Sequence, residues 1–153
     1  MNAHAPTAEK DTVEHDTFYH HLSSTLQKFR KDISCYVCGD FNAVVGRMCS
    51  NECAVGSHGN KENRSESGAR MVEFCEMNDL FICNTAFKQR SSLKWTHRAT
   101  DRNGKDYFRQ IDFILCRRRI KGLLSQCRTH GGTVLDSDHR LLVARVNLRF
   151  FYG

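Results

Sequence analysis

Asp40 and Asn42 are the first residues of the chain whose types and positions suggest chemistry. They belong to the stretch CGDFNA at residues 38–43, which overlaps the end of a short apolar segment. A buried strand that ends in this way places a carboxylate and an amide at its carboxyl end, where α/β proteins commonly build their sites. The same stretch, taken by itself, also fits a simple Asx turn.

Asp112 lies inside the apolar segment QIDFIL at residues 110–115. An unpaired carboxylate in a buried strand is costly, so Asp112 needs a histidine, a metal ion or a nearby arginine as its partner. The stretch DSDH at residues 136–139 offers two of these possibilities. Asp138 has the oxygen atoms that metals take, and His139 can donate a hydrogen bond or carry a proton near neutral pH.

Charge is divided unevenly along the 153 residues, whose net charge is +6. Residues 88–149 contain 15 Lys and Arg against 5 Asp and Glu, whereas residues 1–87 contain 8 against 12. A basic half attracts polyanions, and nucleic acid is the usual one. Carboxylates within such a surface suit a divalent ion that must meet phosphate groups.

The apolar pattern predicts the elements that position these motifs. Spacings of three and four predict a helix over residues 13–30, capped by Asp11 or Thr12, and a second helix over 67–78. Strands are predicted over 33–38, 80–83 and 140–148, with a strand pair over 93–97 and 109–116. Residues 43–66 predict a long surface loop, and 120–124 a short helical turn. No repeat or linker is visible, so residues 1–153 form one predicted domain.

Composition narrows the class of protein. Apolar residues make up 40% and charged residues 26%, which excludes a disordered or membrane composition. No apolar run is long enough to cross a bilayer, and the N-terminus lacks a secretory signal. We therefore expect a soluble intracellular protein, nuclear or cytoplasmic, with no membrane partner and with its eight cysteines as free thiols.

In their order and spacing, the three motifs GDFNA, QIDFI and SDH together resemble the signature of the endonuclease/exonuclease/phosphatase superfamily. The intervening Asn84-Thr85 and Trp95-Thr96 resemble further segments of that superfamily, and the resemblance covers nearly the whole chain. It is strongest for the endonuclease domains of non-long-terminal-repeat retrotransposons and for proteins of the craniofacial development protein 2 type.

The resemblance implies a role for each motif residue in metal-dependent hydrolysis of DNA. Asp40 would align or deprotonate the attacking water and help to hold the metal, and Asn42 would hydrogen-bond a phosphate oxygen. His139 would contact the scissile phosphate, Asp112 would orient its imidazole, and Asp138 would serve the metal site. Magnesium is the implied cofactor, with manganese as a substitute. Six basic residues are candidates to grip DNA or another nucleic acid: Arg98, Arg102, Lys105, Arg117, Arg118 and Arg119.

The implied fold is α/β (α+β): the second half of a four-layer α/β/β/α sandwich, with one mixed sheet, covering helices and the first sheet missing. The half that supplies an Asn and a metal-binding Glu in the superfamily is absent from these residues, and His4 stands where a Tyr is expected. We therefore expect weak or lost nuclease activity for this partial domain. We also expect an exposed sheet face that another chain, or a missing N-terminal half, would cover.

Three alternatives remain open. One is an inactive remnant that binds nucleic acid or protein. Another is a zinc module built from Cys35, Cys38, Cys49 and Cys53, although residues three apart on a strand point to opposite faces. The last is a phosphatase of lipids or small phosphates within the same superfamily. His97 and the other remaining histidines show no ligand spacing.

Overall fold

Two α-helices and eight β-strands form the part of the chain that the computed structural model describes, namely residues 1–30, 34–131 and 137–147. Outside these ranges lie Asp136, residue 33 of the first predicted strand and residue 148 of the last predicted strand. Among the described residues, no helix combines the length and the apolar composition that crossing a bilayer requires.

Helix α1 spans Thr12–Gln27, which confirms the first predicted helix. The carboxylate of Asp11 accepts a hydrogen bond from a backbone N–H of the first turn, as an N-cap does. Leu22 and Leu26 are buried in the core. Phe29, which falls within the predicted range 13–30, lies beyond the helix and is exposed.

Helix α2 spans Glu66–Met77 and confirms the second predicted helix. The hydroxyl of Ser65 caps it by accepting the N–H of Gly68 at 3.0 Å. The same hydroxyl accepts the N–H of Val44, also at 3.0 Å. Ser65 therefore connects the start of α2 to the backbone of Val44, two residues after Asn42. The long predicted loop between Val44 and Ser65 contains no helix or strand.

The strands are β1 (Asn2–His4), β2 (Tyr36–Asp40), β3 (Leu80–Ile82), β4 (His97–Thr100), β5 (Asp106–Arg109), β6 (Asp112–Arg117), β7 (Leu124–His130) and β8 (Leu141–Val146). A four-stranded mixed sheet has the order β1-β2-β6-β3. Strand β1 is parallel to β2, and β6 is antiparallel to both of its neighbours. In this register Asp40 stands directly opposite Asp112.

Both faces of this sheet are packed. Because side chains alternate along a strand, Phe113 and Leu115 of β6 join the core on the side of the helices, whereas Ile114 and Cys116 face the other way. That second face is covered by the antiparallel pair β7–β8. The α/β class is confirmed, and β7–β8 adds a layer on the face that the sequence predicts to be open.

Two local predictions differ from the structure. The predicted pair over 93–97 and 109–116 is instead the hairpin β4–β5, and Asp112 begins the separate strand β6. Strand β7 was not predicted. Its buried residues Leu124, Cys127 and Thr129 are spaced by three and then two, because a register shift between Leu124 and Gln126 breaks the alternation.

Gly39 on β2 has no room for a side chain beside β1. A Cβ atom added there would overlap the carbonyl oxygen of Ala3 on the neighbouring strand. Only glycine leaves room for this backbone contact, which sits one residue before Asp40.

Candidate active site

Asp40 occupies the carboxyl end of β2, between Asp112 on β6 and His4 on β1. Its Oδ1 accepts the backbone N–H of Asn42 at 2.8 Å, which fixes the carboxylate in an Asx turn. Asn42 has a positive φ of 46°, a conformation that asparagine tolerates better than most residues. Its side-chain amide donates to the carbonyl of Ala5 at 2.8 Å, so both residues of the first motif are held by backbone groups.

Asp112 and His139 form a hydrogen-bonded pair, with 2.9 Å between Asp112 Oδ2 and His139 Nδ1. A carboxylate only accepts, so the imidazole donates from Nδ1 and its Nε2 is left for another partner. The two side chains are 20% and 33% exposed, which leaves the imidazole within reach of a ligand. The arrangement has the form of a carboxylate that orients a histidine.

Thr96 holds the backbone on both sides of this pair. It is fully buried, and its hydroxyl accepts the N–H groups of Ile111 and Asp112, each at 3.0 Å. Its carbonyl accepts the N–H of Arg140 at 2.7 Å. One residue thus connects the start of β6 with the segment that carries His139.

Asn84 also holds the backbone of β6. Its amide donates to the carbonyl of Asp112 at 3.0 Å, and its side-chain oxygen accepts the N–H of Ile114 at 3.0 Å. Thr96 and Asn84 lie in segments that the resemblance included, but no sequence pattern indicated these positioning roles.

His97 is a site residue that sequence reasoning missed. It forms a β-bridge with His139, and the N–H of Arg98 donates to the carbonyl of Asp138 at 2.9 Å. His97 Nε2 lies 3.3 Å from Asp138 Oδ2, and the His97 and His139 ring centres are 4.7 Å apart. Forty-one residues separate the two histidines, so no local spacing could reveal the pair.

The described residues contain two groups of three potential metal ligands, and within each group the ligand atoms lie within 4.8 Å of one another. One group is Asp40, Asp112 and His139, and the other is His97, Asp138 and His139. The structure therefore brings all four predicted acid and imidazole groups to one place. Asp40 and Asp138, however, fall in different groups, which share only His139.

Burial raises the pKa of Asp40, because a carboxylate loses solvation at the strand end. The Asn42 N–H opposes this increase, repulsion from Asp112 adds to it, and His139 and His4 lower the pKa again. Asp40 thus keeps its proton to a higher pH than an ordinary aspartate, whose pKa is about 4.

This pKa shift predicts that Asp40 destabilises the fold at neutral pH. The unfolded chain loses the Asp40 proton first, so stability falls as the pH rises from about 4 through the raised folded pKa. Asp40→Asn, which keeps the acceptor for Asn42, should be more stable than the wild type at pH 7. The difference should shrink near pH 3. Urea unfolding at both pH values measures it.

Asp16→Asn is the matched control, since Asp16 is an exposed helix carboxylate paired with Arg70. Removing it should bring no gain in stability at pH 7. An Asp40→Asn variant that is less stable than the wild type at pH 7 would contradict the assignment.

Three of the six candidate nucleic-acid residues lie on the β4–β5 hairpin. Arg98, Arg102 and Lys105 are all exposed, although Arg98 pairs with Asp106 at 2.6 Å. The hairpin starts at His97, so it projects from the site itself.

The three arginines at the end of β6 have different environments. Arg117 is 8% exposed, and its guanidinium donates to the carbonyls of Asn78 and Leu26, so it cannot reach a phosphate backbone. Arg118 pairs with Glu76 at 2.9 Å. Only Arg119 is exposed. Arg117 ends β6 and the other two follow it, about 17 Å or more along the chain from Asp112 at strand rise.

The cysteines proposed for zinc do not form a site in the described part of the chain. No group of three potential ligands there includes Cys35, Cys38, Cys49 or Cys53. All eight cysteines are free thiols in the structure.

Comparison with known proteins gives relatives for both the sequence and the fold. No protein-family model matches the sequence. Craniofacial development protein 2 of Bos taurus is 33% identical over 153 residues, and that of Tragulus javanicus is 34% identical over 149 residues. These matches cover 97% and 95% of this chain and 24% of each relative, so the chain spans about a quarter of their length.

Among solved structures, the endonuclease domain of TRAS1, a telomere-specific non-LTR retrotransposon, superposes with a TM-score of 0.61 at 18% identity. The match covers 88% of this chain and 52% of that domain. Both resemblances predicted from the motifs are confirmed. The chain is therefore similar in sequence to a quarter of craniofacial development protein 2, and it has the fold of about half of a retrotransposon endonuclease domain.

Proposed function

We propose that this site hydrolyses phosphodiester bonds in DNA with the help of a divalent metal ion. The observation that supports the proposal best is the Asp112–His139 hydrogen bond of 2.9 Å with Asp40 in the same cluster. A phosphodiester is anionic and resists attack, so its hydrolysis needs both charge neutralisation and an oriented base. A cluster of two carboxylates and an imidazole supplies the second of these needs.

Each side chain has a role that its contacts support. Asp40, with its raised pKa and its Oδ1 fixed by Asn42, would align the attacking water and take its proton. His139 would present Nε2 to the scissile phosphate, because Asp112 engages Nδ1. Asn42 would contribute a hydrogen bond to a phosphate oxygen, and it lines a cleft of about 280 Å³ together with His97.

Magnesium, or manganese in its place, is the proposed cofactor. Carboxylate oxygens are the donors that magnesium takes, usually only one or two beside water and substrate oxygens, so Asp40 and Asp138 fit it chemically. Asp40 and Asp138 would be the carboxylates that hold the ion, and they belong to two three-member groups that share His139. When bound, the metal would neutralise charge on the phosphate.

Nucleic acid is the proposed partner, and the β4–β5 hairpin is the proposed contact. Arg98, Arg102, Lys105 and the exposed Arg109 lie on it or its turn, next to the site. Arg117 and Arg118 are left out because their guanidinium groups are used within the fold. The 153 residues match about half of the TRAS1 domain, so we propose weak turnover for this chain unless another chain or further residues complete the site.

Nicking of supercoiled plasmid by the 153-residue chain in magnesium tests the proposal. We expect slow nicking that stops with a chelator and falls at least about a hundredfold in Asp40→Ala. The Asp16→Ala variant is the control and should nick like the wild type. Nicking that persists unchanged in Asp40→Ala would show that another activity is responsible and would overturn the proposal.

A second candidate function is nucleic-acid binding without cleavage. The net charge of +6 and the exposed cations of the β4–β5 hairpin favour it. Binding of labelled DNA that weakens steeply with salt, in a chain that shows no nicking at all, would support this candidate and reject the hydrolase.

A further inference from the structure

His97, Asp138 and His139 form a cluster that the proposed hydrolysis does not fully use. Two imidazoles and one carboxylate offer nitrogen and oxygen donors within 4.8 Å of one another. His97 and His139 are partly buried, and Asp138 is 65% exposed. A ligand can therefore enter from solvent and meet side chains that already converge.

The donor atoms lie near the spacing that a tetrahedral metal requires. His97 Nε2 is 3.3 Å from one oxygen of Asp138, and His139 Nε2 is 4.0 Å from the other. Zinc ligated at about 2.05 Å has neighbouring donors about 3.3 Å apart, so the first distance matches, and a rotation of the exposed Asp138 carboxylate would bring one oxygen towards both imidazoles.

His139 is also prepared for a metal by its other nitrogen. Its Nδ1 donates to Asp112 at 2.9 Å, which directs Nε2 towards Asp138. Histidine ligands of metals usually have such a carboxylate behind them, because it fixes the ring and increases its basicity.

The backbone supports the same arrangement. The β-bridge between His97 and His139 and the hydrogen bond from Arg98 N–H to the Asp138 carbonyl join the two segments. The three side chains thus come from segments held together independently of any ion.

From this geometry we propose that His97, Asp138 and His139 bind one zinc-class transition-metal ion. Imidazole nitrogen is a donor that zinc accepts readily and magnesium does not, so the site selects against the ion proposed for hydrolysis. Three protein ligands leave a fourth position for water. If the proposed hydrolysis is correct, zinc here would occupy His139 Nε2 and inhibit nicking.

Zinc titration followed by the imidazole nitrogen resonances of the histidines tests the site without any need for activity. The resonances of His97 and His139 should move together and saturate at one equivalent, whereas those of His20 and His21 on α1 should stay. Magnesium, which takes oxygen ligands, should not move the His97 Nε2 resonance to the position of a metal-bound nitrogen.

Two variants complete the test. His97→Asn should weaken zinc binding at least about tenfold. Loss of a carboxylate that only supports a ligand already lowers metal affinity about tenfold or more, and loss of the ligand itself should cost no less. His58→Asn is the control and should bind like the wild type, because His58 belongs to neither three-member group. If the His97 and His139 resonances did not move, as would happen if cysteines held the zinc, the proposal would be overturned. An unchanged zinc affinity in His97→Asn would overturn it as well.

Discussion

Asp112→Asn should lower the rate of magnesium-dependent nicking by about 10²–10⁴-fold while the protein stays folded. Asparagine keeps the size of Asp112, but its amide does not require the imidazole to donate from Nδ1. His139 can then shift its proton from Nδ1 to Nε2 or rotate its ring, so the nitrogen that faces the phosphate and its protonation are no longer fixed. The nicking rate with protein in excess over plasmid measures the loss.

Asp16→Asn serves as the matched control, since it removes a surface carboxylate far from the pair. DNA binding should also survive in Asp112→Asn, because the substitution removes no cation. A nicking rate within tenfold of the wild type would mean that Asp112 does not orient His139 during the reaction.

Gly39→Ala should destabilise the protein by about 3 kcal/mol, the upper range for an overpacked site. The added methyl group would overlap the carbonyl oxygen of Ala3, which is backbone and has no rotamer by which to escape. Strand β1 must then move away from β2, together with the Ala5 carbonyl that Asn42 binds. Urea unfolding measures the loss, and nicking should fall with it.

Gly122→Ala is the control for the change of glycine itself. A Cβ at Gly122 meets nothing within 4 Å, so its stability should stay within about 0.5 kcal/mol of the wild type. If Gly39→Ala proved equally mild, β1 would not be packed as the structure describes.

The helices were predictable from the sequence because their signals are local. Asp11 and the spacing of Leu22 and Leu26 indicate α1 without reference to the rest of the fold. Strand β7 lacked such a signal, since its bulge interrupts the alternation that marks a strand. The predicted strand pair was placed wrongly because β4 and β5 stop pairing before Ile111. There the hydroxyl of Thr96 accepts the N–H of Ile111, a side-chain contact that an apolar pattern does not indicate.

The site was predictable only in part, for a related reason. Motif resemblance indicated Asp40, Asp112, Asp138 and His139 and could assign roles to them. It could not indicate His97, whose importance depends on a bridge between distant segments. Arg117 shows the reverse problem: basic residues are solvated in most positions, and only the fold reveals that this one is buried.

The four-stranded sheet and the β7–β8 layer meet at the Asp112–His139 pair. Asp112 belongs to the four-stranded sheet, whereas His139 precedes β8, which packs on that sheet through a separate cluster of apolar side chains. Local opening of β7–β8 would therefore load the Arg140–Thr96 hydrogen bond and the His97–His139 bridge, which also hold the segment of His139. A substitution beneath β8 could thus lower activity without touching the reacting groups.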